Sequence, residues 1–162
     1  MKPFYKKKNF ILLIIILIIT FCISKYCMQF TLIQGDSMLP AYHSWQVVIV
    51  SKLDATYSYG DVVTFSSETL HTTLVKRIVA MPGDTVQIIN GILYVNQTPS
   101  PMQIPHRQID NPGIAATPVI LADDEYFVLG DNYDVSKDSR YPEIGCIKKS
   151  AVIGKVIFPD NS

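Results

Sequence analysis

Thr72-Thr-Leu-Val-Lys76-Arg77-Ile-Val-Ala-Met81-Pro82-Gly83-Asp84-Thr85-Val-Gln-Ile-Ile89-Asn90-Gly91-Ile92-Leu-Tyr-Val95 is the stretch that decides the fold. Residues 72–81 are rich in β-branched and apolar side chains, which suit a pleated, half-buried surface. Pro82-Gly83-Asp84 ends that run with a strong turn signal. Thr85–Ile89 and Ile92–Val95 then flank Asn90-Gly91. Asn-Gly tolerates the two positive φ angles of a type I′ turn, so the pair reads as a tight β-hairpin. Working outward, Val47-Val-Ile-Val50 is a short buried strand, and Asp61-Val-Val-Thr-Phe65 is another, entered through the turn Tyr59-Gly60-Asp61. Residues 126–129 and Val152–Phe158 complete the strands. Residues 97–118 hold Pro99, Pro101, Pro105, Pro112 and Pro118, and they read as an irregular surface loop because proline removes ladder donors. No long amphipathic helix or internal repeat follows residue 33. The expectation for residues 31–162 is therefore a mainly β domain, a compact antiparallel sheet or open barrel.

A chain of 162 residues suffices for one domain with a real core. Lys+Arg and Asp+Glu both number 14, so there is no global basic field and nucleic acid is not an expected partner. Cys22, Cys27 and Cys146 make neither a disulfide framework nor a metal-ligand spacing, and no metal or cofactor is expected.

The apolar excess sits at the N-terminus. Lys2, Lys6, Lys7 and Lys8 precede Phe10-Ile-Leu-Leu-Ile-Ile-Ile-Leu-Ile-Ile-Thr-Phe-Cys-Ile23. Two readings compete, a cleaved secretory signal and an uncleaved anchor. No clean small-x-small pattern follows the run, and Phe21 stands before Cys22 where a lipoprotein signal has a small residue. The charge-free residues 9–24 fall a little short of the roughly 20 a span needs, but Lys25 can snorkel and Tyr26 suits a headgroup position. The anchor is the favoured reading, with one transmembrane helix over 9–30. Basic residues stay on the cytoplasmic side. That makes 1–8 a cytoplasmic N-terminus and 31–162 an extracytoplasmic domain of a single-pass cell-membrane protein, limited to exported or membrane chains as substrates.

Three segments carry chemistry. In Gln34-Gly35-Asp36-Ser37-Met38-Leu39-Pro40, a serine in a glycine-containing turn can offer its hydroxyl to a carbonyl and its backbone N–H to the resulting oxyanion. Gly-Asp-Ser turns are common, and alone this one is a weak signal. Lys76 is a cation inside an apolar β-run, next to Arg77. A lone strand lysine is ordinarily an edge gatekeeper. Buried, however, it loses charge stability, and with Arg77 pushing the same way its neutral amine can take a serine's proton. The third segment, Gly130-Asp131-Asn132-Tyr133-Asp134-Val135-Ser136-Lys137-Asp138-Ser139-Arg140, reads either as a solvated turn or as a source of a hydroxyl to orient an amine and of carboxylates to hold arginines.

Together with Tyr59-Gly60-Asp61-Val62-Val63, these segments resemble the bacterial type I signal peptidase (leader peptidase) family in order, spacing and preceding anchor, in its short Gram-positive-like form. The resemblance covers essentially the whole chain. It implies a largely β catalytic domain of signal-peptidase type with a Ser–Lys dyad that cleaves signal peptides from exported preproteins through an acyl-enzyme. Carried over, Ser37 would be the nucleophile and Lys76 the general base. Ser136 would hydrogen-bond and orient the Lys76 amine. Arg77 with Asp131, and Asp138 with Arg140, would support the site, and Met38 would lie near the substrate groove. Some members carry a serine two residues before the nucleophile as an oxyanion donor. Here that residue is Gly35, which leaves the Ser37 N–H and the Gly35 backbone as expected donors. The family's second domain would be reduced to the 97–118 loop and the hairpin before it. Implied partners are preproteins, the bilayer and the protein export machinery.

Three rivals remain. A histidine-dependent hydrolase has His43, His71 and His106 to draw on, but no Gly-x-Ser-x-Gly elbow is present. Another Ser–Lys protease would act on a dedicated substrate such as a pilin or another surface protein. A non-catalytic assembly factor would not need Ser37, Lys76 and Ser136 together.

Overall fold

The computed structural model describes residues 3–53, 56–105 and 107–160; Lys2 of the basic cluster and His106 lie outside these residues. In chain order the elements are α1 (Pro3–Tyr26), β1 (Met28–Leu32), β2 (Val47–Ser51), β3 (Val62–Ser67), β4 (Thr72–Ala80), β5 (Thr85–Ile89), β6 (Ile92–Val95), β7 (Thr98–Pro99), β8 (Val119–Ile120), β9 (Glu125–Leu129), β10 (Ile147–Lys148) and β11 (Val152–Phe158). Seven strands form the larger sheet in the order β1-β2-β11-β3-β4-β9-β10, and four form the smaller in the order β7-β6-β5-β8.

The β5–β6 hairpin has the expected limits, with Ile89 opposite Ile92. Asn90 and Gly91 both take positive φ, at 50° and 78°, as a type I′ turn requires. β4 runs through the middle of the larger sheet, antiparallel to β3 and β9. Its side chains alternate between faces, so Ile78 joins a cluster with Val63, Phe65 and Val128, while Val79 joins Val86, Leu93 and Phe127 in the core shared with the smaller sheet. A third cluster of Ile33, Met38, Tyr42, Val48 and Val50 lies under the loop that carries Ser37. Each such side chain, fully buried, contributes about 1.5–3 kcal/mol.

Two expected boundaries need correction. The anchor over 9–30 does not end where predicted: α1 stops at Tyr26, and Met28–Leu32 is β1, paired in register with β2 from Met28–Ser51 to Leu32–Val47. The sheet thus begins at residue 28, because ladder bonds to β2 claim a stretch that hydropathy alone assigns to the helix. Among the described residues no helix is long and apolar enough to cross a membrane. The side chains of α1 from Phe10 to Phe21 are nevertheless exposed, from 40% at Ile14 to 65% at Phe21. The 97–118 segment is also more ordered than an irregular loop. It supplies β7 to the smaller sheet and a 3₁₀ turn at Gly113–Ala116, and it buries Ile109 and Ala115.

Candidate active site

Past β1 the chain stays paired for one more residue. The Ile33 N–H donates to the Gln46 carbonyl at 2.9 Å, and the Trp45 N–H donates to the Ile33 carbonyl at 2.7 Å. It then turns through residues 34–40. Met38 is fully buried and its carbonyl accepts from the Tyr42 N–H at 2.9 Å, so packing below and a closed turn above fix the loop. Ser37, between them, remains half-exposed.

Lys76 projects from β4 opposite Val63 and is only 2% exposed. Its Nζ lies 2.8 Å from Ser37 Oγ and donates to the Val75 carbonyl at 2.8 Å. Burial strips the ammonium of water and pushes it down from its ordinary 10.5 to about 8. The carboxylates of Asp138 and Asp131 oppose that shift, and Arg140 adds to it. The cation acting on Lys76 is thus Arg140 rather than the expected Arg77. Neighbouring residues on a strand face opposite sides, and the Arg77 guanidinium is turned to Asp131, bonded through Nε at 2.8 Å and Nη2 at 2.7 Å. Arg77 Nη1 also donates to the Gly60 carbonyl at 2.8 Å.

The third segment closes the site from β9. Asp138 and Arg140 are buried and paired, Nε to Oδ1 at 2.8 Å and Nη2 to Oδ2 at 3.0 Å. Asp138 also accepts from the Gly130 N–H at 3.1 Å, and Arg140 Nη2 reaches the carbonyls of Tyr133 and Ser136 at 2.8 and 3.2 Å. These bonds curl residues 130–140 into a fixed turn. Gly130 has no room for a side chain, since a Cβ would strike Ser136 Oγ and the Ser37 carbonyl. Glycine there lets the Ser37 loop and the Ser136 turn meet.

Two expected contacts are absent. Ser136 is 1% exposed and its Oγ has no hydrogen-bond partner, so it does not bond the Lys76 amine in this state. The Gly35 N–H donates to Ser44 Oγ at 3.0 Å, which removes it as an oxyanion donor. Met38, though fully buried, borders with Ser37 and Lys76 a groove of about 470 Å³ between β1 and the start of β4, together with Leu32, Gln34 and Leu74. His43 and His71 are both exposed.

Sequence reasoning passed over Asn132 and Arg107. The Asn132 N–H donates to the Ser37 carbonyl at 3.0 Å, and its Nδ2 donates to the Asp36 carbonyl at 3.1 Å. Arg107 Nη1 donates to Asn132 Oδ1 at 3.1 Å. The only hint was that Asn132 stands inside the third segment; nothing in a proline-rich stretch singles out Arg107.

This arrangement can do one kind of chemistry directly. A hydroxyl faces an amine that burial lowers to about 8, beside a groove of about 470 Å³. Residues 6–159 match the family model described as signal peptidase, peptidase S26. Signal peptidase I of Bacillus amyloliquefaciens is 32% identical to this chain over 92% of it and 86% of the relative. Signal peptidase I S of Bacillus subtilis is 30% identical over 92% of this chain and 87% of the relative. Among solved structures, a signal peptidase I from Enterococcus faecalis aligns with a TM-score of 0.52 at 26% identity, covering 63% of this chain and 97% of that one.

Proposed function

The chain belongs to the signal peptidase family, peptidase S26, a family of serine peptidases, and we propose that it removes signal peptides from exported preproteins at a membrane surface, with Ser37 as nucleophile and Lys76 as general base. The observation that carries the reading is the 2.8 Å approach of Lys76 Nζ to Ser37 Oγ, made by a lysine whose burial holds its amine near pH 8.

The neutral amine accepts the Ser37 proton as Oγ attacks the scissile carbonyl carbon. The Ser37 N–H faces the developing oxyanion, a donor worth a few kcal/mol in a dry site. Collapse of the tetrahedral intermediate breaks the C–N bond, and Lys76 gives its proton to the leaving amine. Water, activated by the same amine, then releases the acyl group and frees Ser37. Once protonated, Lys76 needs a further acceptor. The buried, unpartnered Ser136 hydroxyl is assigned that orienting role. The Arg77–Asp131 and Asp138–Arg140 pairs brace the two sides of the site. The substrate lies extended in the groove beside Met38, adding main-chain bonds to a strand edge.

The membrane part of the proposal rests on exposed apolar surface. Besides α1, Phe30, Trp45 and Phe158 are exposed at 68%, 72% and 63%. They lie on or beside β1, β2 and β11, which are neighbours at one end of the larger sheet. Phe30 and Phe158 both stand opposite Ile49, so they line up across the sheet, and apolar surface exposed in this way suits a lipid contact. A single-pass tether with its basic end inside places the groove outside, next to emerging preproteins and the export machinery.

The test is cleavage of a preprotein carrying an Ala-x-Ala site, with wild type, Ser37→Ala and Lys76→Ala compared by mass spectrometry. Wild type alone should cut after the small residue. Cutting by folded Lys76→Ala removes the proposed base. No cutting by folded wild type removes the general signal-peptide substrate.

A further inference from the structure

The site has one backbone oxyanion donor, the Ser37 N–H, and no hydroxyl at position 35 to assist it. Its strength and direction therefore matter more than usual, and a chain of hydrogen bonds leads to it from an unexpected place. The Ser37 N–H and the Asp36 C=O belong to one planar trans peptide and point in opposite directions. A bond to the Asp36 oxygen thus fixes where the Ser37 N–H points. Asn132 Nδ2 makes that bond at 3.1 Å, while the backbone N–H of Asn132 holds the next carbonyl, that of Ser37, at 3.0 Å. One residue grips the peptides on both sides of the Ser37 Cα.

The Asn132 amide is itself oriented and polarised. Its Oδ1 accepts from Arg107 Nη1 at 3.1 Å, and the guanidinium also reaches the Asp131 carbonyl at 3.4 Å. Turning the amide over would set donor against donor and oxygen against oxygen, so Arg107 fixes its sense. Arg107 is in turn held by its own segment. Its carbonyl accepts from Gln103 Nε2 at 2.6 Å, and Gln103 Oε1 accepts from the Leu93 N–H at 2.7 Å, which ties the segment to the β5–β6 hairpin. The Ile104 N–H donates to the Tyr133 hydroxyl at 2.8 Å. The smaller sheet thereby presents a fixed positive charge to the back of the oxyanion peptide.

We propose that Arg107 and Asn132 are positioning residues that orient and polarise the Asp36–Ser37 peptide, so that the Ser37 N–H is a stronger oxyanion donor in the transition state. Hydrogen bonds in series reinforce one another, most of all when one end is charged. This inference rests on the Ser37–Lys76 reading above. The effect falls on charge that develops during reaction, so its loss lowers kcat and leaves KM nearly unchanged.

The test measures kcat and KM on the preprotein for the full chain as wild type, Ser37→Ala, Arg107→Ala, Arg107→Lys, Asn132→Ala and Asn132→Asp. Arg107→Ala should lower kcat about tenfold to a hundredfold, the scale set by a slightly misplaced reacting group, with KM within about twofold. Arg107→Lys should regain part of that loss, and added guanidinium at concentrations well below denaturing should restore kcat in Arg107→Ala but not in Asn132→Ala. Asn132→Asp should lose more than Arg107→Ala, because its carboxylate faces the Asp36 carbonyl. Wild-type kcat in Arg107→Ala, or a loss that neither lysine nor guanidinium relieves, overturns the inference while the Ser37 reading stands if Ser37→Ala is inactive. Cleavage by Ser37→Ala overturns both.

Discussion

Lys76 meets opposed requirements, since the burial that makes its amine useful also disfavours its charge. An amine lowered from 10.5 to about 8 is mostly protonated at neutral pH, and only the neutral fraction is a base. We predict that kcat/KM falls about tenfold per unit below pH 8 and levels off above it, as a pH–rate profile of the purified chain will read. The stability consequence has a definite sign. Between pH 8 and 10.5 the unfolded lysine holds a proton that the folded one has released, so this residue's contribution to stability rises with pH across that window. Below pH 8 the full penalty applies, roughly 3 kcal/mol. Lys76→Met should therefore abolish cleavage and raise Tm at pH 7, with the gain fading toward pH 10.5 in a calorimetric series. Lys76 stood out in the sequence because a cation inside a β-branched run is anomalous, and its 2.8 Å approach to Ser37 Oγ is the contact expected from the resemblance. The second cation was misread, because adjacency in sequence puts Arg77 on the opposite strand face. The Asn132 to Asp36 bond was not legible, as it joins residues 96 positions apart and leaves no local pattern.

Elements with strong local chemistry could be read to their ends. The β5–β6 hairpin and β11 have the limits expected of them, since Asn-Gly favours a type I′ turn and β11 carries two Val-Ile pairs, one on either side of Gly154-Lys155. Gly91→Ala should cost about 1–2 kcal/mol, because φ there is 78° and the added Cβ would press on Gln108 at 3.0 Å; urea denaturation measures it. β8 and β10 are two residues each and too short to carry a period. Their pairing is set by partners, Thr85 and Val86 for one, Tyr126 and Glu125 for the other. β1 was hidden for a different reason. It continues an apolar run, and only its register with β2 separates it from α1.

At the scale of the whole molecule, every sheet strand lies after residue 27 and every core cluster after residue 32. A chain lacking residues 1–26 should keep its cooperative unfolding transition and lose flotation with lipid vesicles, read by calorimetry and a sucrose gradient. Retained flotation would transfer the membrane contact to the exposed residues of β1, β2 and β11. Ser37 and Lys76 hang from different parts of this body. Lys76 rides on β4, clamped between β3 and β9, whereas Ser37 follows β1, the outermost strand, paired on one side only. Seams of that kind open before a sheet's centre does. Opening of β1 from β2 would loosen the Ser37 side of the pair and leave it to the Met38 packing and the Asn132 bonds. We therefore predict that cleavage falls reversibly on warming before the calorimetric transition is reached; activity that persists to Tm would show that this border strand holds as firmly as the sheet's centre.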